Sequence, residues 1–224
     1  KLNKTTKLVV LIILSICLVL PPLLSVDTTA YWLNADIIYS QNKNPYTTPL
    51  KFAQVPTELN NVWWMQTPSP YGPIFLLIIS LPWLIGFFNL FVFIYAYKLL
   101  ALVGFLLSFW LFSKLRQRAK AEPHLDLVFL LNPALIINLV LEGHNEIFII
   151  LFLLLFLYFN NQTTKSLGAL TLAILIKFNA VILWPLTWFK NQKINLKSFL
   201  VSSLLLAIVG TIFFTTINLL PQDF

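Results

Sequence analysis

Charge is what this chain has least of. Only 10% of its 224 residues are Asp, Glu, Lys or Arg, whereas 58% are hydrophobic and the mean hydropathy is +0.83. A water-soluble domain is nearer half apolar and a quarter charged, and so few charges cannot cover this much apolar surface. An ordinary soluble domain is therefore excluded, and lipid is the solvent that fits. Cysteine is almost absent as well. The lone thiol, Cys17, lies inside the first apolar run, so no disulfide can form within the chain, and no spacing of metal ligands exists. Cys17 reads as a small residue facing lipid or another helix. Repeats, low-complexity tracts and a soluble domain are also missing. Acidic residues are scarcer than basic ones, 8 against 15, for a net charge of +7. In a soluble protein that imbalance raises nucleic-acid binding. Here the Lys and Arg collect in short segments between apolar runs, as cytoplasmic loops do, and nucleic acid is set aside as a partner.

What is present is a succession of apolar runs. The first, 8–26, would span roughly 28 Å as a helix at about 1.5 Å per residue. It carries Pro21 and Pro22 near its end, where a kink costs least. Lys1, Lys4 and Lys7 precede it, and no small-x-small cleavage site comes after it, so it reads as a retained helix with a cytoplasmic N-terminus. The longest polar segment, 27–72, then lies outside, with Trp63, Trp64 and Tyr71 suited to an interfacial belt. Residues 73–113 are long enough for two spans, broken near Gly86 or around Tyr95 to Lys98. Two spans would put the basic segment 114–123 outside, against the charge rule. The alternative is a short re-entrant or interfacial piece over 73–86 and a single span over 88–113. Next come 125–141, broken at Asn132-Pro133, a polar knot from Glu142 to Glu146, and an apolar run over 147–159. The segment 166–189 is flanked by Lys165 and the basic stretch Lys190, Lys193 and Lys197, which predicts two half-helices meeting near Lys177. A last span is expected over 198–220. The fold class is thus an all-α, multi-pass membrane bundle with a long extracytoplasmic first loop, one module over 1–224. The start at Lys1 and the stop just past an apolar run make a C-terminally incomplete piece of a longer protein the expectation.

Charges inside or beside membrane spans are costly, about 2.5–3.5 kcal/mol at a span's centre, so each is a functional candidate. Asp27 falls where the first span meets the outer surface, and Tyr31 shares its face at i,i+4 if the segment is helical. A carboxylate at that depth is partly desolvated, which suits a base; the plain alternative is an Asp at a helix end entering water. Asp36 stands nine residues further on. Asn44-Pro45-Tyr46 and Tyr71-Gly72-Pro73 are turns carrying an aromatic. Gly143-His144-Asn145-Glu146 groups an imidazole, an amide and a carboxylate able to bind a sugar, a phosphate or a proton; it reads equally as a polar turn between spans, and it is too small for a convincing metal site. Lys177 is too central to snorkel and must pair with a carboxylate or bind an anion.

Taken in order, these motifs resemble the family-C glycosyltransferases, polytopic enzymes that take a sugar from a polyprenyl-phosphate carrier. The likeness is nearest to polyprenol-phosphomannose-dependent α-mannosyltransferases of bacterial envelopes. It rests on Asp27, Tyr31 and Asn44-Pro45-Tyr46 opening the outer loop, and on Tyr71-Gly72-Pro73 closing it. Asn132-Pro133, Gly143-His144-Asn145-Glu146, Lys177 and Pro185 complete the set. Glu146 departs from the pattern, which has Asp there, and family members carry more helices beyond this point.

The resemblance implies transfer of a hexose, mannose first, from a polyprenyl phosphate to a glycan or glycolipid hydroxyl on the outer face of the membrane, with inversion. Inversion needs a base on the acceptor side, and a phosphate leaving group needs its charge stabilised. It also implies the roles: Asp27 as base with Asp36 as the alternative, Lys177 and His144 on the phosphate, and Tyr31, Asp36 and Asn145 orienting sugar hydroxyls. Asn44, Tyr46, Tyr71 and Glu146 join the substrate-binding set. No cofactor is implied, and a divalent metal is left open. The partners are membrane lipid, the lipid-linked donor and the acceptor. The rival reading is a transporter or lipid-linked-sugar flippase, which would use intramembrane Lys, His and Glu as a relay.

Overall fold

The computed structural model describes residues 3–53, 63–86, 89–160, 162–190, 193–194 and 196–219. The tip of the first loop, 54–62, lies outside the described residues, as do the side chains of Trp63, Trp64, Lys190, Lys193 and Lys197. The chain is helical almost throughout. In order it forms α1 (Lys4–Val19), α2 (Asp27–Ala35, running on as a π turn over Asp36–Ser40), α3 (Pro73–Ile78), α4 (Ser80–Gly86) and α5 (Leu90–Arg118). Then come α6 (Leu125–Leu130), α7 (Pro133–Leu135, continuing as a π turn over Ile136–Leu141), α8 (Glu146–Tyr158), α9 (Thr163–Ile176) and α10 (Leu196–Leu219). The expectation of pure helix has one exception. Phe189–Lys190 and Lys193–Ile194 pair antiparallel, with Phe189 opposite Ile194, inside the basic segment.

Local chemistry accounts for most of the boundaries. Asn3 and Asn89 cap α1 and α5, their side chains accepting from Thr6 N–H (2.7 Å) and Val92 N–H (3.0 Å). Asn132 caps α7 in the same way, with Pro133 in the first turn, where its missing N–H costs nothing. Pro73 opens α3 likewise. The run 8–26 is not one helix. Pro21 forces the residue before it out of the helical region, and Leu20 is extended (φ −63, ψ 139), so α1 stops at Val19. Beyond Val19 the chain turns through an elbow that ends where α2 begins.

Residues 73–86 are the short pair α3 and α4, and α5 is a single helix of 29 residues. Helix lengths over 73–113 therefore match the second of the two expected arrangements, a short piece over 73–86 ahead of one long helix. Among the described residues α5 alone is long and apolar enough to cross a membrane by itself. Leu125–Leu141 and Glu146–Tyr158 would pass together, bent by 119° at the polar knot. The break at Lys177 is also observed: α9 ends at Ile176, Lys177 is extended, and a 3-10 helix runs over Phe178–Trp188. Large apolar side chains such as Leu8, Leu11 and Ile12 on α1, and Phe91, Leu99 and Trp110 on α5, face outward.

The two ends of the bundle differ. At one end Asn3 and Thr6 of α1 share a cavity of about 430 Å³ with Ser113, Arg116 and Gln117 of α5 and with His124 and Asp126. Arg116 reaches Asp126 through two nitrogens (2.7 and 3.0 Å). The start of α1 and the basic 114–123 segment therefore lie together. The elbow, the start of α2 and the polar knot lie at the far end of α1, packed against α5. The base of the first loop is sewn to itself by Ser69 N–H to Pro45 C=O (2.8 Å) and Leu50 N–H to Thr67 C=O (3.3 Å). It is then pinned to the Lys177 break by Gly72 N–H to Ile176 C=O (2.9 Å).

Gly72 lies so close to α9 that a Cβ there would sit 2.1 Å from the Leu175 carbonyl oxygen. Gly72→Ala is expected to lower stability by about 3 kcal/mol, the upper end for overpacking. Gly168→Ala, where a Cβ meets nothing within 4 Å, should leave stability unchanged or raise it by up to about 1 kcal/mol through helix propensity. Thermal unfolding of the two variants in detergent micelles checks both.

Candidate active site

Asp27 is the first residue of α2, where the unpaired amides of a helix start favour a carboxylate. Its own N–H donates to Ser25 Oγ (3.1 Å). Its side chain is about 40% exposed and meets His144 Nδ1 at 3.3 Å. The same imidazole nitrogen lies 3.7 Å from Glu146 Oε2, and the other oxygen of Glu146 takes Lys177 Nζ at 2.7 Å. Four ionisable groups from α2, the knot, α8 and the α9 break thus form a line: Asp27, His144, Glu146, Lys177. Lys177 meets the first of its two expected fates, pairing with a carboxylate.

Backbone geometry delivers His144 to this line. Gly143 adopts φ +68, a left-handed conformation natural to glycine, and a Cβ there would press on Thr28 Cγ2 at 3.2 Å. The turn sends His144 back toward α2. One turn below Asp27, the fully buried Tyr31 accepts a hydrogen bond from Asn145 N–H at 3.1 Å, tying the knot to α2 a second time.

Around Tyr31 an aromatic box closes. Tyr71, Phe75 and Tyr97 approach its ring with centroids 4.7 to 5.2 Å away. Burial, foremost, pushes the phenols of Tyr31 and Tyr71 well above their ordinary range, and the negative charge of Asp27 adds to it. The Tyr31–Tyr71 hydrogen bond opposes the rise at Tyr71 without cancelling it. Both remain neutral donors beside the carboxylates. Asp27 and Tyr71, with Ala30, Leu50, Thr67 and Pro70, line a cavity of about 180 Å³.

The structure therefore brings together Asp27, Tyr31, Tyr71, His144, Asn145, Glu146 and Lys177. Asn145 is buried, and its side-chain Nδ2 has no hydrogen-bond partner among the described residues. Three predicted residues lie apart from the line. Asp36 is buried in the π turn and accepts from Gln41 Nε2 at 2.8 Å. Asn44 is buried, its side chain closing its own turn onto Tyr46 N–H at 2.9 Å. Tyr46 is half-buried, which pushes its phenol upward. These last two shape the base of the loop whose far side carries Tyr71. No group of three or more His, Cys, Asp or Glu side chains among the described residues is arranged to hold a metal ion.

Sequence reasoning misses Lys98 and leaves Glu142 without a role, although both are buried next to this site. The signal for Lys98 is the one used for Lys177, a lone cation in an apolar stretch. Removing the Tyr31 hydroxyl should orphan the Asn145 amide. Tyr31→Phe is expected to cost about 1–3 kcal/mol, the range for a buried donor left unpaired, read as a shift in denaturant midpoint at unchanged slope.

Comparison with known proteins bears on the chain's family. Residues 3–190 match the model of the family described as alpha-(1->6)-mannopyranosyltransferase, N-terminal domain. The chain is similar to alpha-(1->6)-mannopyranosyltransferase A of Corynebacterium glutamicum, 25% identical over 168 residues. That alignment covers 73% of this chain and 34% of the relative, so the chain spans about a third of that protein's length. No solved structure matches.

Proposed function

The chain belongs to the alpha-(1->6)-mannopyranosyltransferase family, matching its N-terminal domain, and from that premise we propose that it transfers mannose from a polyprenyl-phosphate carrier to a glycan or glycolipid hydroxyl at the outer face of a membrane. It does so as part of a multi-pass bundle. The outward-facing apolar side chains and the collection of basic segments at the end opposite Asp27 support that placement.

The observation that carries the reading is Asp27. It is a part-exposed carboxylate, it lines the cavity with Tyr71, and it meets His144 at 3.3 Å. Asp36, enclosed and bonded to Gln41, is the poorer candidate for a base. In the proposed reaction Asp27 takes the proton of the acceptor hydroxyl as that oxygen attacks the anomeric carbon. The bond from the anomeric carbon to the phosphate oxygen breaks, and its electron pair leaves on the polyprenyl phosphate. Inversion to an alpha product requires a beta-linked donor. Lys177 and His144 face the charge that develops on the phosphate. The phosphate competes with Glu146 for the Lys177 ammonium, so Glu146 holds that cation in place until the donor arrives. Tyr71 supplies a neutral donor for sugar hydroxyls from the cavity wall, and the enclosed Tyr31 and Asn145 hold the shape behind it.

The full-length protein in membranes, given radiolabelled polyprenyl-phosphate mannose and envelope acceptors, tests this. Asp27→Asn should reduce transfer at least about 100-fold, within the range for loss of a general base, while Asp36→Asn retains most of it. Lys177→Ala should raise the donor KM as well as lower kcat. Collapse in Asp36→Asn with Asp27→Asn active would move the base. Absence of transfer by wild type from mannose, glucose or pentose carriers would remove the transferase reading and return the flippase.

A further inference from the structure

Two buried charges lie beside the site without touching its cavity. Lys98, in the first third of α5, is fully enclosed, and Glu142, the residue before Gly143, is nearly so. Both serve the elbow between α1 and α2. The last carbonyls of any helix lack partners, and here proline makes the deficit worse. Cys17 C=O would ordinarily accept from the amide of residue 21, which is Pro21 and has none. The Lys98 ammonium fills that place, donating to Cys17 C=O at 2.8 Å and also to Leu20 C=O. Tyr95, one turn earlier on α5, donates its hydroxyl to Val19 C=O at 3.1 Å.

On the far side of the prolines the chain presents amides instead, and an anion meets them. The Glu142 carboxylate accepts from Leu23 N–H (3.0 Å), Leu24 N–H (3.1 Å) and Ser25 N–H (3.0 Å). Ser25 Oγ in turn accepts from Asp27 N–H. Cation on carbonyls and anion on amides are the pairing a helix end and an extended turn each favour. The two side chains also lie close enough to interact electrostatically across the elbow. Glu142 is joined through Gly143 to His144, the residue that Asp27 meets.

We propose that Lys98 and Glu142 are positioning residues that clamp the Pro21-Pro22 elbow from both sides and so fix Asp27 against His144. The proposal rests on the reading of Asp27 as the transferase base, but its geometric part stands without it. The clamp explains why two charges are kept in apolar surroundings where neither can reach the substrate. It also explains how a chain that leaves α1 at Val19 can deliver Asp27 to a fixed point.

Two measurements on the full-length protein test it. In transfer assays Lys98→Met should lower kcat at least about tenfold with donor KM within about twofold, the pattern of a lost transition-state geometry. Lys98→Arg should recover most of that, since a guanidinium still serves two carbonyls. Combined with Asp27→Asn, Lys98→Met should add no further loss. The second measurement needs no activity. In a Cys17→Ser background, Asp27→Cys and His144→Cys are bridged by a short bifunctional thiosulfonate. Lys98→Met or Glu142→Gln should cut the bridging yield at least about threefold, because sub-ångström support has been removed, and Lys98→Arg should restore it. Where Lys98→Met does not give folded protein, Lys98→Arg and Glu142→Gln are compared with wild type in both assays.

Unchanged bridging in both variants, wild-type kcat in Lys98→Met, or a loss that adds to that of Asp27→Asn would overturn the clamp. Bridging that depends on Lys98 and Glu142 in a protein that transfers no mannose would remove the transferase reading and leave the clamp standing.

Discussion

Backbone that leaves helix inside an apolar bundle must find its hydrogen bonds in the protein, because a buried amide or carbonyl left unpaired is costly. The distinctive features of this chain stem from how that requirement is met. The helical path breaks after Val19, again between Leu141 and Glu146, and again at Lys177. Each break strands amides and carbonyls, and the three lie against one another. Neighbouring segments satisfy them: Glu142 takes the elbow's amides, Tyr31 of α2 takes the Asn145 amide, and the Ile176 carbonyl takes the Gly72 amide at the base of the first loop. Polar residues that would be intolerable singly become tolerable together.

The ionisable line from Asp27 to Lys177 is the second result of the same constraint. Along it each carboxylate faces a basic nitrogen, so the polar groups are held without full exposure. The line is anchored at both ends by different elements, α2 and the α9 break, with the knot between them. A site of this kind is rigid in its spacing yet open at Asp27, where the cavity begins. The aromatic box behind Tyr31 gives it a dry, close-packed floor.

The site is more legible in the sequence than the fold is. Asp27, Tyr31, His144, Asn145, Glu146 and Lys177 stand out because each is polar within apolar surroundings, and the structure gathers all six. Boundaries set by one residue are legible too: Pro73 starting α3, Asn132-Pro133 starting α7, Lys177 ending α9. The extent of α1 is not, because an apolar count over 8–26 is blind to the steric effect of Pro21 on Leu20. Asn44 reads as a ligand but closes its own turn, since an Asn-Pro turn and a binding amide look alike in one dimension. Lys98 shows as a lone cation in an apolar stretch, as Lys177 does, but its role is not legible, because its partners are main-chain carbonyls and no pattern of side chains announces a carbonyl orphaned by a proline.

The stitching of the first loop has its own consequence. Pro45 is tied to Ser69, Leu50 to Thr67, and Gly72 to Ile176, so the wall of the cavity and the cation opposite form one rigid unit. The stretch of chain between Leu50 and Thr67 leaves and returns through a sewn base. Its length and composition can therefore diverge among relatives without moving Tyr71 or Lys177.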